Sequence, residues 1–197
     1  MNIKKLLVPS IIILFVIIVI MWAIGINNGM VTREQKVIGQ WAQVENVYQR
    51  RADLIPNLVA TVKGYADFEK STLTEVVEAR AKATSVQVNP QNLDAASLQE
   101  FQKAQDGLGS ALGRLMVVIE RYPELKANQN FLDLQAQLEG SENRIAVERK
   151  RFVELTMEYN IFVKRFPNKM FAGMFGFEEK PTFEASEGAE KPPVVEF

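Results

Sequence analysis

The sequence predicts an all-α protein: an N-terminal transmembrane helix followed by an antiparallel up-and-down helical bundle. Three observations carry that reading. An uncharged apolar run extends from Leu6 to Ile26. Beyond it, apolar side chains recur at alternating steps of three and four as far as Phe162, the signature of helices packed along one face. No segment sustains period-two alternation, and hairpin turn chemistry is missing.

The apolar run comes first in the chain. Its 21 uncharged residues, at ~1.5 Å each, span roughly 30 Å, the thickness of a bilayer's hydrocarbon core. Pro9, Ser10 and Gly25 interrupt it only mildly, and Trp22 lies near its end, where an indole suits the membrane interface. A buried core helix would carry a polar stripe, which this run lacks. A signal peptide has a shorter apolar region and a small-residue cleavage site, and Ala23-Ile24-Gly25-Ile26-Asn27 is a poor one. Lys4 and Lys5 precede the run, and the first charge after it is Arg33. The positive-inside bias then predicts a cytoplasmic N-terminus and an exported bundle at the cell (inner) membrane.

A helix is expected to begin just past the membrane, because Thr32-Arg33-Glu34-Gln35 reads as a capping box. Its seam is Trp41, Val44, Tyr48, Ile55, Leu58, Val62, Tyr65 and Val76, fading by Ala83 before the loop at Asn89-Pro90. A second helix is predicted from about Asp94 to Tyr122, with seam Leu98, Phe101, Leu108, Leu112, Leu115, Ile119 and Tyr122. A third is predicted from Glu124 or Asn128 to Phe166, with seam Phe131, Leu134, Leu138, Ile145, Phe152, Leu155, Tyr159 and Phe162.

The helix count hinges on Pro56: three long helices if the first is continuous and kinked from Arg33 to Ala83, four if the chain reverses at the proline. Continuity is the favoured expectation, since Arg50 to Val62 contains no glycine and only Pro56-Asn57 as turn chemistry. The first helix would then outreach the second and leave Trp41, Val44 and Tyr48 without cover in the same chain. That stripe is the candidate self-association surface of a homo-oligomer.

Composition removes whole classes of chemistry. The chain has no cysteine and no histidine. Disulfides, thiolate sites and the commonest general base and metal ligand are therefore excluded. Lys4 and Lys5 are two of the 23 basic residues, and no acid precedes Asn27; from there onward 21 basic face 24 acidic groups, net −3. Such a balance gives no general pull toward nucleic acid. Glu139, Glu142, Glu148 and Glu154 are read as solvated helix faces, because a di-iron bundle needs Glu-x-x-His pairs. Arg149-Lys150-Arg151 is likewise read as a solvated face. No P-loop, G-x-G-x-x-G or G-x-S-x-G occurs. No catalytic residue, metal or cofactor is expected. Arg51 and Glu148 fall on seams, where each either pairs, setting register, or snorkels to the bundle edge.

After Pro167 the composition changes twice. Phe166, Met170, Phe171, Met174, Phe175 and Phe177 crowd into twelve residues punctuated by Pro167, Gly173 and Gly176. Adaptable Met and Phe surface of this kind suits partner binding, and these six are the candidate partner-binding residues. The alternative is that the segment caps the bundle end. From Glu178 to Phe197 there are six acids, two lysines and three prolines, too little apolar surface to fold alone.

Several blocks together resemble the LemA family: Arg50-Arg51-Ala52-Asp53-Leu54-Ile55-Pro56-Asn57-Leu58-Val59 with Thr61-Val62-Lys63-Gly64-Tyr65; Leu138-Glu139-Gly140-Ser141-Glu142-Asn143-Arg144-Ile145-Ala146; and Tyr159-Asn160 through Val163-Lys164-Arg165-Phe166-Pro167-Asn168, Phe171-Ala172, Met174-Phe175-Gly176-Phe177 and Lys180-Pro181. The ending Pro192-Pro193-Val194-Val195-Glu196-Phe197 is similar too. The resemblance implies a bacterial membrane protein with an anchor and a helical bundle, and no agreed biochemical activity. Magnetosome membrane proteins belong to the family, which implies a membrane-organising role in some lineages.

The expected organisation is a short basic N-terminus (1–5), a transmembrane helix (6–26), a LemA-like helical bundle domain (27–177) and an acidic, proline-containing tail (178–197). The expected function is non-enzymatic: a scaffold or protein-interaction module at the bacterial cell membrane. Its partners would be the lipid bilayer through 6–26 and an unidentified membrane or envelope protein. The alternative is an accessory or regulatory subunit of a membrane enzyme or transporter, with no catalytic residues of its own.

Overall fold

The computed structural model describes residues 3–64 and 69–183, with side chains from Pro9 onward. Among them every regular element is a helix: α1 (Ile3–Lys63), α2 (Lys70–Ser85), α3 (Ala95–Ile119), the single turn α4 (Pro123–Lys126), α5 (Gln129–Lys164) and α6 (Asn168–Phe175). The all-α class read from the sequence holds. The chain divides into two compact units, residues 1–39 with 154–180 and residues 40–153 with 181–197, and α1 and α5 each contribute to both.

Helix α1 bears on the expected organisation at three points: it departs from expectation at Thr32 and at its C-terminal end, and agrees with it at Pro56. The first is Thr32, which lies inside the helix instead of capping a new one. Its Oγ1 donates to the Asn28 carbonyl one turn back, at 2.7 Å, a local bond that competes with capping. With no proline between Ser10 and Gln35, nothing stops the apolar helix from running on, so no separate helix begins after residue 26.

The second is Pro56, which α1 passes through without reversing. A proline inside a helix deprives the carbonyl four residues earlier of its N–H partner, here that of Ala52. The Arg80 Nε donates to this same oxygen at 2.7 Å, so the group freed by Pro56 is satisfied from α2.

The third is the helix end. Helix α1 ends at Lys63, where the Gly64 amide donates to the Thr61 carbonyl at 3.3 Å, and α2 begins at Lys70. The helix expected to continue to Ala83 is therefore two helices, and the reversal lies beyond Pro56. Lys63-Gly64 is the stop signal: a basic residue in the last turn followed by glycine. Tyr65, assigned to the seam, lies outside the described residues.

In the unit of residues 40–153 with 181–197, the helices run antiparallel in sequence order. Arg80 of α2 reaches back to Ala52. Glu75 pairs with Arg114, Glu69 with Arg121, and Gln105 Nε2 donates to the Ala83 carbonyl, so residue numbers fall on α2 as they rise on α3. Asp94 caps α3 by accepting from the Ser97 amide at 2.9 Å. Pro123 opens α4 at its first helical position, where the missing N–H costs nothing. Helix α5 returns beside α1, with Glu142 on Arg51 and Glu148 on Gln40. The core combines Ile55, Leu58 and Val62 of α1, Val76 of α2, Leu108, Leu115 and Ile119 of α3, and Phe131 and Leu138 of α5. All nine are seam residues named from periodicity.

In the unit of residues 1–39 with 154–180, Ile26, Met30 and Val37 of α1 are buried, as are Tyr159, Phe162 and Val163 of α5. Gly29 allows the two helices to approach closely: a Cβ there would fall 2.7 Å from Phe162 Cζ. The apolar stretch of α1 is long enough to cross a membrane. Its side chains from Ile11 to Met21 are all exposed, Ile11 at 63% and Met21 at 68%.

Candidate functional site

The aromatic segment lies in the first of these units. It forms the eight-residue helix α6, preceded by a turn with a cis Phe166–Pro167 bond. Gly176 adopts φ 78° and donates its amide to the Ala172 carbonyl, as does the Phe177 amide at 2.9 Å. This left-handed termination requires glycine and stops α6 after two turns. On the inner side Asn168 and Ala172 are buried, and Asn168 Nδ2 donates to the Phe162 carbonyl at 2.8 Å.

The outer side is apolar. Phe166 is 82% exposed, Met170 68% and Met174 73%, with Phe175 also exposed. Phe171 and Phe177 are half-buried. Phe171 packs edge-on against Trp22 of α1, ring centroids 5.8 Å apart, and stacks with Phe175 at 6.2 Å. The six candidate residues thus split, four turned outward and two partly covered.

The residues after α6 hold to the same unit. Lys180 is buried at 8% exposure and its Nζ pairs with Glu34 at 3.0 Å. Its amide donates to Asn160 Oδ1 at 3.0 Å, and Asn160 Nδ2 donates to its carbonyl at 2.8 Å. The Tyr159 hydroxyl donates to the Glu178 carbonyl at 2.9 Å. Burial pushes the Tyr159 phenol well above its ordinary pKa, with Glu34 and Glu178 adding to the shift. Sequence reasoning missed this attachment, because an acidic, proline-containing composition hides a single well-placed lysine, and its partner Asn160 lies on α5.

Trp41, Val44 and Tyr48 belong to the other unit, and all three are buried there. Trp41 meets the Phe101 and Phe152 rings edge-on at 5.3 Å each and stacks with Phe183 at 5.9 Å. Tyr48 meets Phe101 at 5.1 Å. The expected uncovered stripe is corrected: α3, α5 and residue 183 cover it within the chain. The ground for a second copy at these positions is gone.

Arg51 is buried, but not against Glu148. Its Nη1 donates to Glu142 at 2.6 Å and its Nη2 to the Gln105 side-chain and main-chain oxygens at 2.7 and 3.2 Å. Glu148 instead accepts from Gln40 at 2.7 Å. Burial raises the pKa of the Tyr48 phenol, and the nearby Arg149 and Arg51 partly oppose it. Of the carboxylates weighed for chemistry, Glu139, Glu142 and Glu148 each accept from a neighbouring side chain. A depression of about 320 Å³ beside Tyr48 and Phe101 has one charged side chain in its lining, Glu45.

These features define an all-α, membrane-associated protein with an exposed apolar helix and a compact bundle. The LemA family model matches residues 40–197, and the chain belongs to that family. Among characterised relatives, Magnetosome protein MamQ 2 of Paramagnetospirillum magneticum is 25% identical over 187 residues, covering 85% of this chain and 68% of the relative. Magnetosome protein MamQ of Magnetospirillum gryphiswaldense is 24% identical with the same coverage. Protein LemA of Metamycoplasma hominis is 22% identical over 164 residues, 83% of this chain and 71% of the relative. Neither LemA nor MamQ is known as an enzyme family.

Proposed function

We propose that this is a single-pass membrane protein whose bundle serves as a non-enzymatic scaffold or interaction module at the bacterial cell membrane. Residues 6–26 cross the bilayer, the N-terminus with Lys4 and Lys5 stays cytoplasmic, and the bundle is exported. The observation that carries the reading is the pairing of two exposed apolar surfaces, Ile11–Met21 on α1 and the outer side of α6. Surfaces this apolar on a folded chain mark contact with a membrane or partner. The similarity to magnetosome proteins fits a role at a membrane, and the missing histidine and cysteine favour organisation over catalysis.

Two measurements test this. In alkaline carbonate, the full-length chain is expected to stay in the membrane pellet, with an intact N-terminus by mass spectrometry. A chain starting near Asn27 would overturn the anchor. A photoreactive residue in place of Met174, activated in native membranes, is expected to form adducts with molecules outside the chain. Exclusively intramolecular products would reduce α6 to a cap.

A further inference from the structure

Whatever surrounds the apolar stretch of α1 must also surround what is level with it, and α6 is tied to that stretch. Phe171 sits edge-on against Trp22, near the end of the apolar run, with ring centroids 5.8 Å apart. Both residues belong to one compact unit. The contact therefore sets the depth of α6: a bilayer reaching from Leu6 to Trp22 reaches α6 as well.

The side-chain pattern of α6 matches that depth. Met170 with Met174 and Phe171 with Phe175 are two i,i+4 pairs, adjacent on the helix surface, and together they make one apolar arc. Asn168 and Ala172 face inward; Met170 and Met174 are turned away from the protein, while Phe171 lies against Trp22 and Phe175 stacks on Phe171 with one side exposed. Phe166, 82% exposed, extends the arc at the N-terminal end. Exposed Lys164, Arg165 and Lys169 are its neighbours in the chain; Lys164 pairs with Glu179 at 2.8 Å, and the Arg165 guanidinium lies 4.3 Å from the centre of the Phe162 ring. An apolar arc of Phe and Met bordered by Lys and Arg is the make-up of helices that lie in the bilayer interface, buried ~5–10 Å into the boundary between headgroups and acyl chains.

We propose that α6 is an interfacial helix whose occupant is the bilayer itself, on the bundle's side, with Phe166, Met170, Met174 and Phe175 against lipid. This rests on the reading that residues 6–26 span the membrane, and it names the partner of the α6 surface. The chain then has two membrane contacts joined through Trp22 and Phe171. A lone spanning helix leaves rotation about its axis free, whereas a second contact lying in the interface fixes which side of that helix faces which lipid.

The chain has no cysteine, so single labels can be introduced cleanly. Met174→Cys, Met170→Cys, Ile18→Cys and Val117→Cys are each spin-labelled in the full chain and reconstituted in vesicles of phosphatidylethanolamine and phosphatidylglycerol. Collisions with oxygen, which concentrates in lipid, are compared with collisions with a water-soluble nickel chelate. The expected result is a several-fold oxygen excess at Met174 and Met170 over Val117, which is exposed on α3, and a larger excess at Ile18. Nickel-dominated labels at Met170 and Met174 with oxygen at Ile18 overturn this proposal and leave the spanning helix intact. Labels at the two methionines shielded from both reagents overturn it in favour of protein contact at this surface, in these vesicles with a second copy of the chain. Nickel dominance at Ile18 removes the spanning reading and this proposal together. Unchanged thermal melting of each variant shows that the labels report on the native fold.

Discussion

The chain builds two aromatic groups from similar residues and uses them in opposite ways. Around Trp41, the rings of Tyr48, Phe101, Phe152 and Phe183 close on one another, and Trp41 has no exposed surface. Around Trp22, Phe171 and Phe175 form a partial stack while Phe166, Met170 and Met174 stand outward. In the closed group every ring comes from a different turn or element, so each covers the others. In the open group most residues come from one two-turn helix, and a single helix cannot enclose its own apolar side. Aromatic content alone therefore does not separate core from surface; what matters is how many elements converge on it.

The comparison breaks most readily at Trp41. Trp41→Ala is expected to cost about 3–5 kcal/mol, the range for emptying a large buried aromatic site, measured by urea unfolding of the full chain in detergent. Phe183→Ala should cost less, about 2 kcal/mol, because Phe183 is only half-buried. A loss at Trp41 no larger than at Phe183 would mean the closed group is not a core.

That group also depends on α1 remaining helical through Pro56, where Arg80 satisfies the carbonyl freed at Ala52. Arg80→Leu is expected to cost about 1–2 kcal/mol through an unsatisfied oxygen. In a Pro56→Ala background, with the amide restored, the same substitution should cost clearly less. Equal costs in both backgrounds would show that Arg80 acts elsewhere.

A smaller, pH-dependent effect sharpens the contrast. Burial raises the pKa of Tyr48, so the unfolded chain releases this proton at lower pH than the folded one. Its contribution is present below the ordinary tyrosine value near 10 and fades as pH rises through the folded value. Melting temperature should fall above about pH 10, and Tyr48→Phe should lessen the fall. Tyr159, raised by burial too, adds to the same slope, while the open group has no titrating side chain. The smallest effect is expected at that open group. Met170→Ser with Met174→Ser should change stability by no more than about 0.5 kcal/mol, as at other surface sites. A loss of several kcal/mol would make α6 part of the core.

How much of this was legible varies by element. The second and third helices were, because the seams from Leu98 to Ile119 and from Phe131 to Phe162 are long and regular, and nearly every residue named on them is buried. The reversal after Lys63 was obscured by Pro56, a stronger breaker in isolation than Gly64. The pairing of Arg51 with Glu142 instead of Glu148 was beyond periodicity, since both glutamates lie on α5 and only helix register chooses between them. Lys180 and Phe183 were hidden by a composition that reads as tail.

What the sequence determined by itself is the helical class, the apolar N-terminal segment, the seams, the family and the exclusion of thiol and imidazole chemistry. These follow from local properties: residue types, their period and their absence. Only the tertiary structure decided that Trp41, Val44 and Tyr48 are covered within the chain, that Arg80 rescues the carbonyl freed by Pro56, and that Phe171 meets Trp22. Each joins residues far apart in the chain. Such contacts depend on helix lengths, register and the position of one turn, quantities that side-chain periodicity along a single helix does not contain.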